Sequence, residues 1–119
     1  MNVIVLGASN NPERYSNKAV KMLLQKGHHP LPVHPSIETI EGHPVFARLE
    51  DVSDPVDTIS VYLSPEKSDQ CAAGMLGSGA RRVIFNPGAE NPALAKRLQD
   101  QGMEVVEACT LVLLSTNQF

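Results

Sequence analysis

The chain has 119 residues, of which 42% are apolar and 19% charged, and its formal net charge is −3. This length suits one domain, predicted over residues 1–119, and the composition is typical of a globular protein rather than a disordered one. The sequence has no basic run, no apolar run near the ~20 residues that span a bilayer and no signal-peptide pattern, so we expect no nucleic-acid partner, no membrane insertion and a cytoplasmic location.

Five short apolar runs predict five β-strands. In chain order they are Val3–Leu6, Pro30–Val33, Thr58–Leu63, Arg82–Phe85 and Met103–Val106. The first run is apolar throughout, which predicts a strand buried on both faces. The second contains two prolines, which favour a strand end or an edge position because proline has no N–H to donate to a neighbouring strand.

Helix signals lie between these strands. Helices are predicted over residues 17–26, from Pro65 towards Gly77, and from Pro92 to near Gly102. Ser16 is the predicted cap of the first helix, and Ser64 and Asn91, each followed by proline, are the predicted caps of the others. Residues 34–55 are predicted to be irregular. The apolar tail, residues 111–114, is expected to pack on the domain or on a second subunit.

The alternation of strands and helices predicts an α/β fold. We expect a Rossmann-like, doubly wound sheet of about five mostly parallel strands, with helices on both faces. Ligands of such sheets bind at the carboxyl ends of the strands. The segments expected at that edge are 7–9, 34–35, 63–65, 86–88 and 107–110.

The first strand-to-helix turn, residues 7–16, has the sequence GASNNPERYS. Gly7 allows a tight turn, and the backbone N–H groups at the start of the following helix suit a phosphate. Ser9 and Ser16 add hydroxyl donors, and Arg14 adds a charged one. The whole run predicts the phosphate site of a nucleotide-type ligand, although any strand-to-helix turn can carry glycine and serine.

The Gly-x-Gly-x-x-Gly pattern of dinucleotide-binding proteins is incomplete. Ser9 stands where the second glycine would be, and strand two ends in His34-Pro35 with no acidic residue. Both departures disfavour a nicotinamide dinucleotide. His34 is predicted to contact the ribose, a phosphate or the base edge, the alternative being a loop histidine without a partner. Residues 61–65 are predicted to form an apolar wall for adenine, and Ser64-Pro65 can start a helix as well.

Catalytic and metal-binding patterns are absent. The chain has no Gly-x-Ser-x-Gly elbow, no His-Glu-x-x-His pair and no Walker loop, so no catalytic or metal-binding residue is predicted. Asn86 and Gly88 are predicted to line the outer end of the cleft, although a Pro-Gly pair is also an ordinary turn signal. Cys71 and Cys109 lie far apart in sequence and are expected as free thiols.

Together these motifs resemble the stand-alone CoA-binding domain family, which is similar to the N-terminal domain of the succinyl-CoA synthetase α subunit. The matching segments are Gly7-Ala8-Ser9-x-x-Pro12-x-Arg14, Pro32–Pro35, Val45–Leu49, Val56-Asp57, Asn86–Gly88 and Cys109-Thr110. The resemblance implies coenzyme A or an acyl-CoA as ligand. Many relatives have Val-Asn-Pro-Lys after strand two. This chain has His34 for the Asn and Ser36 for the Lys, which removes one phosphate-binding cation.

The resemblance implies phosphate contacts in the first turn and adenosine contacts after strands two and three. With the residues at the other strand ends, the predicted cofactor-binding set is Gly7, Ala8, Ser9, Asn10, Pro12, Arg14, Tyr15, Ser16, His34, Pro35, Val61, Tyr62, Leu63, Pro65, Asn86 and Gly88. The predicted function is a CoA-binding protein without chemistry of its own. The alternatives are a subunit of an acyl-CoA ligase or transferase that needs a partner chain and, last, an NAD(P)-binding domain. A homodimer is also left open.

Overall fold

A five-stranded parallel sheet forms the centre of the computed structural model, which describes all residues from 1 to 119. The chain has seven strands in all, of which five form this sheet. They are β1 (Asn2–Leu6), β2 (His29–Val33), β3 (Thr39–Ile40), β4 (His43–Pro44), β5 (Thr58–Val61), β6 (Arg82–Phe85) and β7 (Glu104–Glu107). The sheet has the order β2-β1-β5-β6-β7, and β3 and β4 form a separate antiparallel pair. Every neighbouring pair in the sheet is parallel, which confirms the predicted fold class.

Five helices cover the sheet, and none of them is long and apolar enough to cross a membrane. They are α1 (Tyr15–Gln25), α2 (Pro65–Gln70), α3 (Ala72–Leu76), α4 (Pro92–Asp100) and α5 (Thr110–Ser115). A short 3-10 turn, Leu49–Asp51, lies in the connection between β4 and β5.

The side chains of β1 alternate between two apolar cores, one on each face of the sheet. Val3 and Val5 belong to a cluster that contains α1 and α5 residues such as Leu23 and Leu114. Ile4 and Leu6 belong to the cluster on the opposite face, which contains residues of α3, α4 and the 3-10 turn. Since successive side chains of a strand point to opposite faces, a strand that is apolar throughout must be covered on both.

Two predicted helix boundaries were wrong. α1 begins at Tyr15, two residues before the predicted start, and Ser16 lies inside it and is buried instead of capping it. Arg14 occupies the cap position in an extended conformation (φ −78°, ψ 141°), so the helix is entered directly from the turn. The helix predicted to run from Pro65 towards Gly77 is interrupted at Cys71 (φ −97°, ψ 3°), which separates α2 from α3.

Other predicted boundaries agree more closely with the structure. β2 is the edge strand that its prolines favour, and Asn91 caps α4 by accepting a hydrogen bond from the Leu94 N–H at 3.2 Å. β5 ends at Val61, two residues before the predicted end, because the chain turns there towards α2. β7 lies one residue later than predicted.

The apolar tail forms α5, which the sequence did not predict as a helix. Leu114 points into the core beside α1 and is 2% exposed, whereas Val112 on the same helix is 55% exposed. The predicted irregular region, residues 34–55, likewise contains the β3–β4 pair and the 3-10 turn.

We expect Leu114→Ala to lower the free energy of unfolding by about 2 to 4 kcal/mol, because it opens a cavity between α5 and α1. Val112→Ala is the matched control on the same helix and should change stability by about 0.5 kcal/mol or less. Urea denaturation measures both. Equal losses for the two variants would contradict the packing described for α5.

Candidate functional site

The order of the strands creates a cleft at one edge of the sheet. β1 lies between β2 and β5, so the chain runs from β1 through α1 to β2 on one side and later returns to β5 on the other side of β1. In open α/β sheets, ligands bind outside the carboxyl ends of the strands at such a switch point. Here Gly7 follows β1, His34 follows β2 and Tyr62 follows β5.

Two adjoining cavities occupy this cleft. The first, here the polar cavity, has a volume of about 620 Å³ and is lined by Gly7, Ala8, Ser9, Glu13, Arg14, Tyr15, Ser16, His34, Tyr62, Leu63, Lys67 and Pro87. The second, here the apolar cavity, has a volume of about 440 Å³ and is lined by Leu6, Gly7, Val33, His34, Pro35, Ala47, Arg48, Leu49, Glu50, Leu63, Lys67, Gln70 and Cys71. Both volumes lie in the range of small-molecule sites, roughly 300 to 1,000 Å³.

Gly7 follows β1 and contacts the chain at the ends of β2 and β5. Its φ is +84°, and a Cβ at this position would lie 2.7 Å from Leu63 Cδ2 and 3.3 Å from the backbone carbon of Tyr62. The N–H groups of Gly7 and Ala8 both donate to the Val33 carbonyl, each at 3.2 Å. The turn therefore requires glycine for its backbone conformation and for the close approach of β5.

The loop after Gly7 is held by its own side chains. Ser9 Oγ accepts a hydrogen bond from the Asn11 N–H at 3.1 Å, and Asn11 Oδ1 accepts one from the Glu13 N–H at 3.0 Å. The buried Asn17 donates from Nδ2 to the Ser9 carbonyl at 2.9 Å. Because Ser9 Oγ acts as an acceptor within the loop, its hydroxyl proton stays available to a ligand.

The N-terminus of α1 faces the polar cavity without a cap. No side chain caps it, and the N–H groups of Tyr15, Ser16 and Asn17 have no acceptor in the protein. The Arg14 guanidinium, at the same end of the helix, forms no ion pair. Unpaired amides, the positive end of the helix dipole and a free guanidinium together make an anion site.

His34 lines both cavities in a defined tautomer. Its Nδ1 accepts hydrogen bonds from the N–H groups of Ser36 at 3.1 Å and Ile37 at 3.2 Å. An imidazole nitrogen that accepts carries no proton, so in the neutral ring the proton is on Nε2. His34 therefore offers Nε2–H as a donor to a ligand.

Lys67 completes the wall between the cavities. Gly7, His34, Leu63 and Lys67 are the four residues that line both. The Lys67 ammonium is exposed and forms no ion pair, whereas the other cation of the apolar cavity, Arg48, binds Asp51 at 3.2 Å.

Lys67 was not among the predicted site residues, nor were several other lining residues. These are Leu6, Glu13, Val33, Ala47, Arg48, Leu49, Glu50, Gln70, Cys71 and Pro87. Position offered a signal for Lys67, since it lies two residues after Pro65, beside a predicted strand end. Residues 47–50 offered none, because nothing in an irregular segment shows that it folds back over the sheet.

Most of the predicted cofactor-binding residues line the two cavities. Those that do are Gly7, Ala8, Ser9, Arg14, Tyr15, Ser16, His34, Pro35, Tyr62 and Leu63. Those that line neither cavity are Asn10, Pro12, Val61, Pro65, Asn86 and Gly88. Pro87, between two of these, does line the polar cavity.

Asn86 and Val61 are parts of the buried framework behind the cleft. Val61 has no exposed surface, because strand alternation points its side chain into the core. Asn86 is 2% exposed. It donates to Ser60 Oγ at 3.0 Å and the Val61 carbonyl at 2.9 Å, and it accepts from the Thr110 N–H at 2.8 Å. Asn86 thus fixes the start of α5 to the sheet.

Neither Tyr62 nor Cys71 is activated for chemistry. Burial raises the pKa of the Tyr62 hydroxyl to about 12, so the phenol stays protonated and its ring supplies wall surface. Burial, together with the nearby Glu50 carboxylate, raises the pKa of the Cys71 thiol, which disfavours the nucleophilic thiolate. Cys109 lies outside both cavities and is half-buried.

A family model described as "CoA binding domain" matches residues 1–115. A crystal structure of an uncharacterized protein superposes with a TM-score of 0.89 at 31% identity, covering 99% of this chain and 97% of that one. A Thermus thermophilus protein gives a TM-score of 0.90 at 28% identity, covering 99% and 90%. The uncharacterized protein YneT of Bacillus subtilis is 25% identical over 104 residues, which is 87% of this chain and 77% of YneT.

A larger enzyme contains the same fold. The dinucleotide-forming acetyl-coenzyme A synthetase 1 of Ca. Korarchaeum cryptofilum superposes with a TM-score of 0.75 at 21% identity, over 90% of this chain but 25% of that one. This likeness shows that the fold also occurs as one part of a longer chain.

We expect Gly7→Ala to lower the free energy of unfolding by about 3 kcal/mol, because it adds a clash with Leu63 to the strain of a positive φ. Gly27→Ala is the matched control. Its φ is +81° and nothing lies within 4 Å of a Cβ, so it should cost about 1 kcal/mol through strain alone. Urea denaturation separates the two contributions. If Gly7→Ala cost no more than Gly27→Ala, the close approach of β5 would not constrain this position.

Proposed function

Since the chain belongs to the CoA-binding domain family, we propose that it holds coenzyme A or an acyl-CoA in the cleft between β1, β2 and β5. In this proposal the turn Gly7–Ser9 and the N-terminus of α1 bind the diphosphate. The observation that carries it is the set of unpaired N–H groups at α1, beside an unpaired Arg14. A diphosphate satisfies these donors, which no group of the protein does.

The apolar cavity suits the adenine ring. Val33, Pro35, Ala47, Leu49 and Leu63 give it flat apolar surface. Gln70 and Glu50 add polar atoms at its walls for the edges of a base. His34 is then placed at the ribose, and the pantetheine arm extends through the polar cavity past Tyr62 and Pro87.

Two features favour CoA over a nicotinamide dinucleotide. The Cβ of Ser9 stands where dinucleotide-binding proteins have glycine for close approach of the pyrophosphate. β2 is followed by His34, a donor through Nε2–H, where those proteins have an acid that accepts from the ribose hydroxyls. A donor at that point suits a phosphorylated ribose better than a free diol.

The protein is proposed to bind its ligand without transforming it. The raised pKa values of Cys71 and Tyr62 disfavour a thiolate and a phenolate at these two positions beside the cleft. The occurrence of the fold inside an acetyl-coenzyme A synthetase favours one alternative, a subunit that acts with a catalytic partner chain. Capture of such a chain by the tagged protein in the presence of CoA would support it. The expected cytoplasmic location stays a prediction.

Isothermal titration calorimetry with CoA, acetyl-CoA, adenosine and NAD tests the proposal. We expect one saturable site per chain for CoA and acetyl-CoA, and weaker binding of NAD and adenosine. The absence of measurable heat with millimolar CoA, or tighter binding of NAD than of CoA, would contradict it.

Arg14→Ala should weaken CoA binding about tenfold, because it removes a charge-assisted hydrogen bond of about 1.4 kcal/mol to the diphosphate. Its backbone N–H, which donates to the Asn11 carbonyl at 3.0 Å, is retained, so the turn should persist. Arg97→Ala, an exposed arginine on α4 without an ion pair, is the matched control and should bind CoA like the unmodified protein. Equal affinities for both variants would remove Arg14 from the site.

A further inference from the structure

The wall between the two cavities carries two unused donors. Lys67 contributes an ammonium without an ion pair, and His34 contributes Nε2–H because its Nδ1 is occupied by the Ser36 and Ile37 amides. Both residues border both cavities. A ligand that extends from one cavity into the other must therefore pass them.

The groups of coenzyme A follow one another in a fixed chemical order. Its ribose joins the diphosphate to the adenine and carries a phosphate on the 3′ oxygen. If the diphosphate lies at the N-terminus of α1 and the adenine in the apolar cavity, the ribose lies at the wall that the cavities share. We infer that Lys67 and His34 Nε2–H bind the 3′-phosphate and so distinguish CoA from unphosphorylated adenosine diphosphates. This inference rests on the function proposed above.

The charges around the wall leave Lys67 as the cation for this phosphate. Arg48 is bound to Asp51, and Arg14 lies at the diphosphate end of the polar cavity. The Glu50 carboxylate lies beside α3, with Oε1 3.0 Å from the Cβ position of Gly74, and forms no ion pair with Lys67. Lys67 can therefore meet a dianionic phosphate without first losing a partner.

The loop after β2 supplies no lysine or arginine of its own over residues 34–38. Ser36 in this loop gives its N–H to His34 Nδ1. In this chain the cation comes from α2, across the cleft, rather than from the loop.

The test compares CoA with dephospho-CoA, which lacks only the 3′-phosphate, by calorimetry at constant ionic strength. The unmodified protein should bind CoA at least about tenfold more tightly, as expected for one charge-assisted contact. Lys67→Gln should reduce the ratio of the CoA affinity to the dephospho-CoA affinity to about threefold or less. Its affinity for dephospho-CoA should stay within about twofold of that of the unmodified protein. Lys67→Arg should keep most of the ratio because it keeps the charge. Lys96→Gln, on α4, is the control and should change the affinity for neither ligand.

His34→Asn gives an independent variant. An asparagine Oδ1 can accept from the same loop amides, so the loop is kept, whereas its donor Nδ2 lies one bond short of the position of the histidine Nε2–H. This variant should lower the ratio of the CoA affinity to the dephospho-CoA affinity about threefold. Equal weakening of both ligands by Lys67→Gln, or a ratio near one in the unmodified protein, would overturn the inference and leave the proposed function intact. Failure to bind either ligand would overturn both.

Discussion

At Gly7 the chain leaves β1 with a φ of +84°, and the side chain of Leu63 fills the space that a Cβ would need. This contact brings the end of β5 against the end of β1. The N–H groups of Gly7 and Ala8 donate to the Val33 carbonyl and so join the end of β1 to β2. The same turn directs the chain into α1, whose first amides stay unpaired at the mouth of the cleft. One glycine thus couples the switch point of the sheet to its anion site.

The fold was predictable where each element carries its own physical signal. The apolar run at β1 has to be covered on both faces, and the two prolines exclude β2 from a central position. α5 and the β3–β4 pair were missed for opposite reasons. Leu111–Leu114 is too short and too uniformly apolar to show helical periodicity, and the two-residue strands are held by Ile40 packing into a core formed elsewhere.

The site residues that directly follow strand ends were predictable, whereas those in the irregular segment that folds back over the sheet were not. Gly7, Ser9 and His34 are adjacent to predicted strands, so parallel topology alone brings them together. Asn86 is also adjacent to a strand, but its amide is consumed by Ser60, Val61 and Thr110 behind the cleft, which position along the chain does not reveal. The apolar cavity was missed in part because residues 47–50 belong to a segment without periodicity.

A crystal structure of the protein soaked with coenzyme A tests the proposed binding mode at Gly7 and α1 most directly. We expect electron density for the diphosphate at Gly7–Ser9 and the N-terminus of α1, with the adenine in the apolar cavity beside Pro35 and Leu49. Density for the diphosphate at another place on the sheet, or a cleft that stays empty at a CoA concentration that saturates the protein in solution, would contradict it.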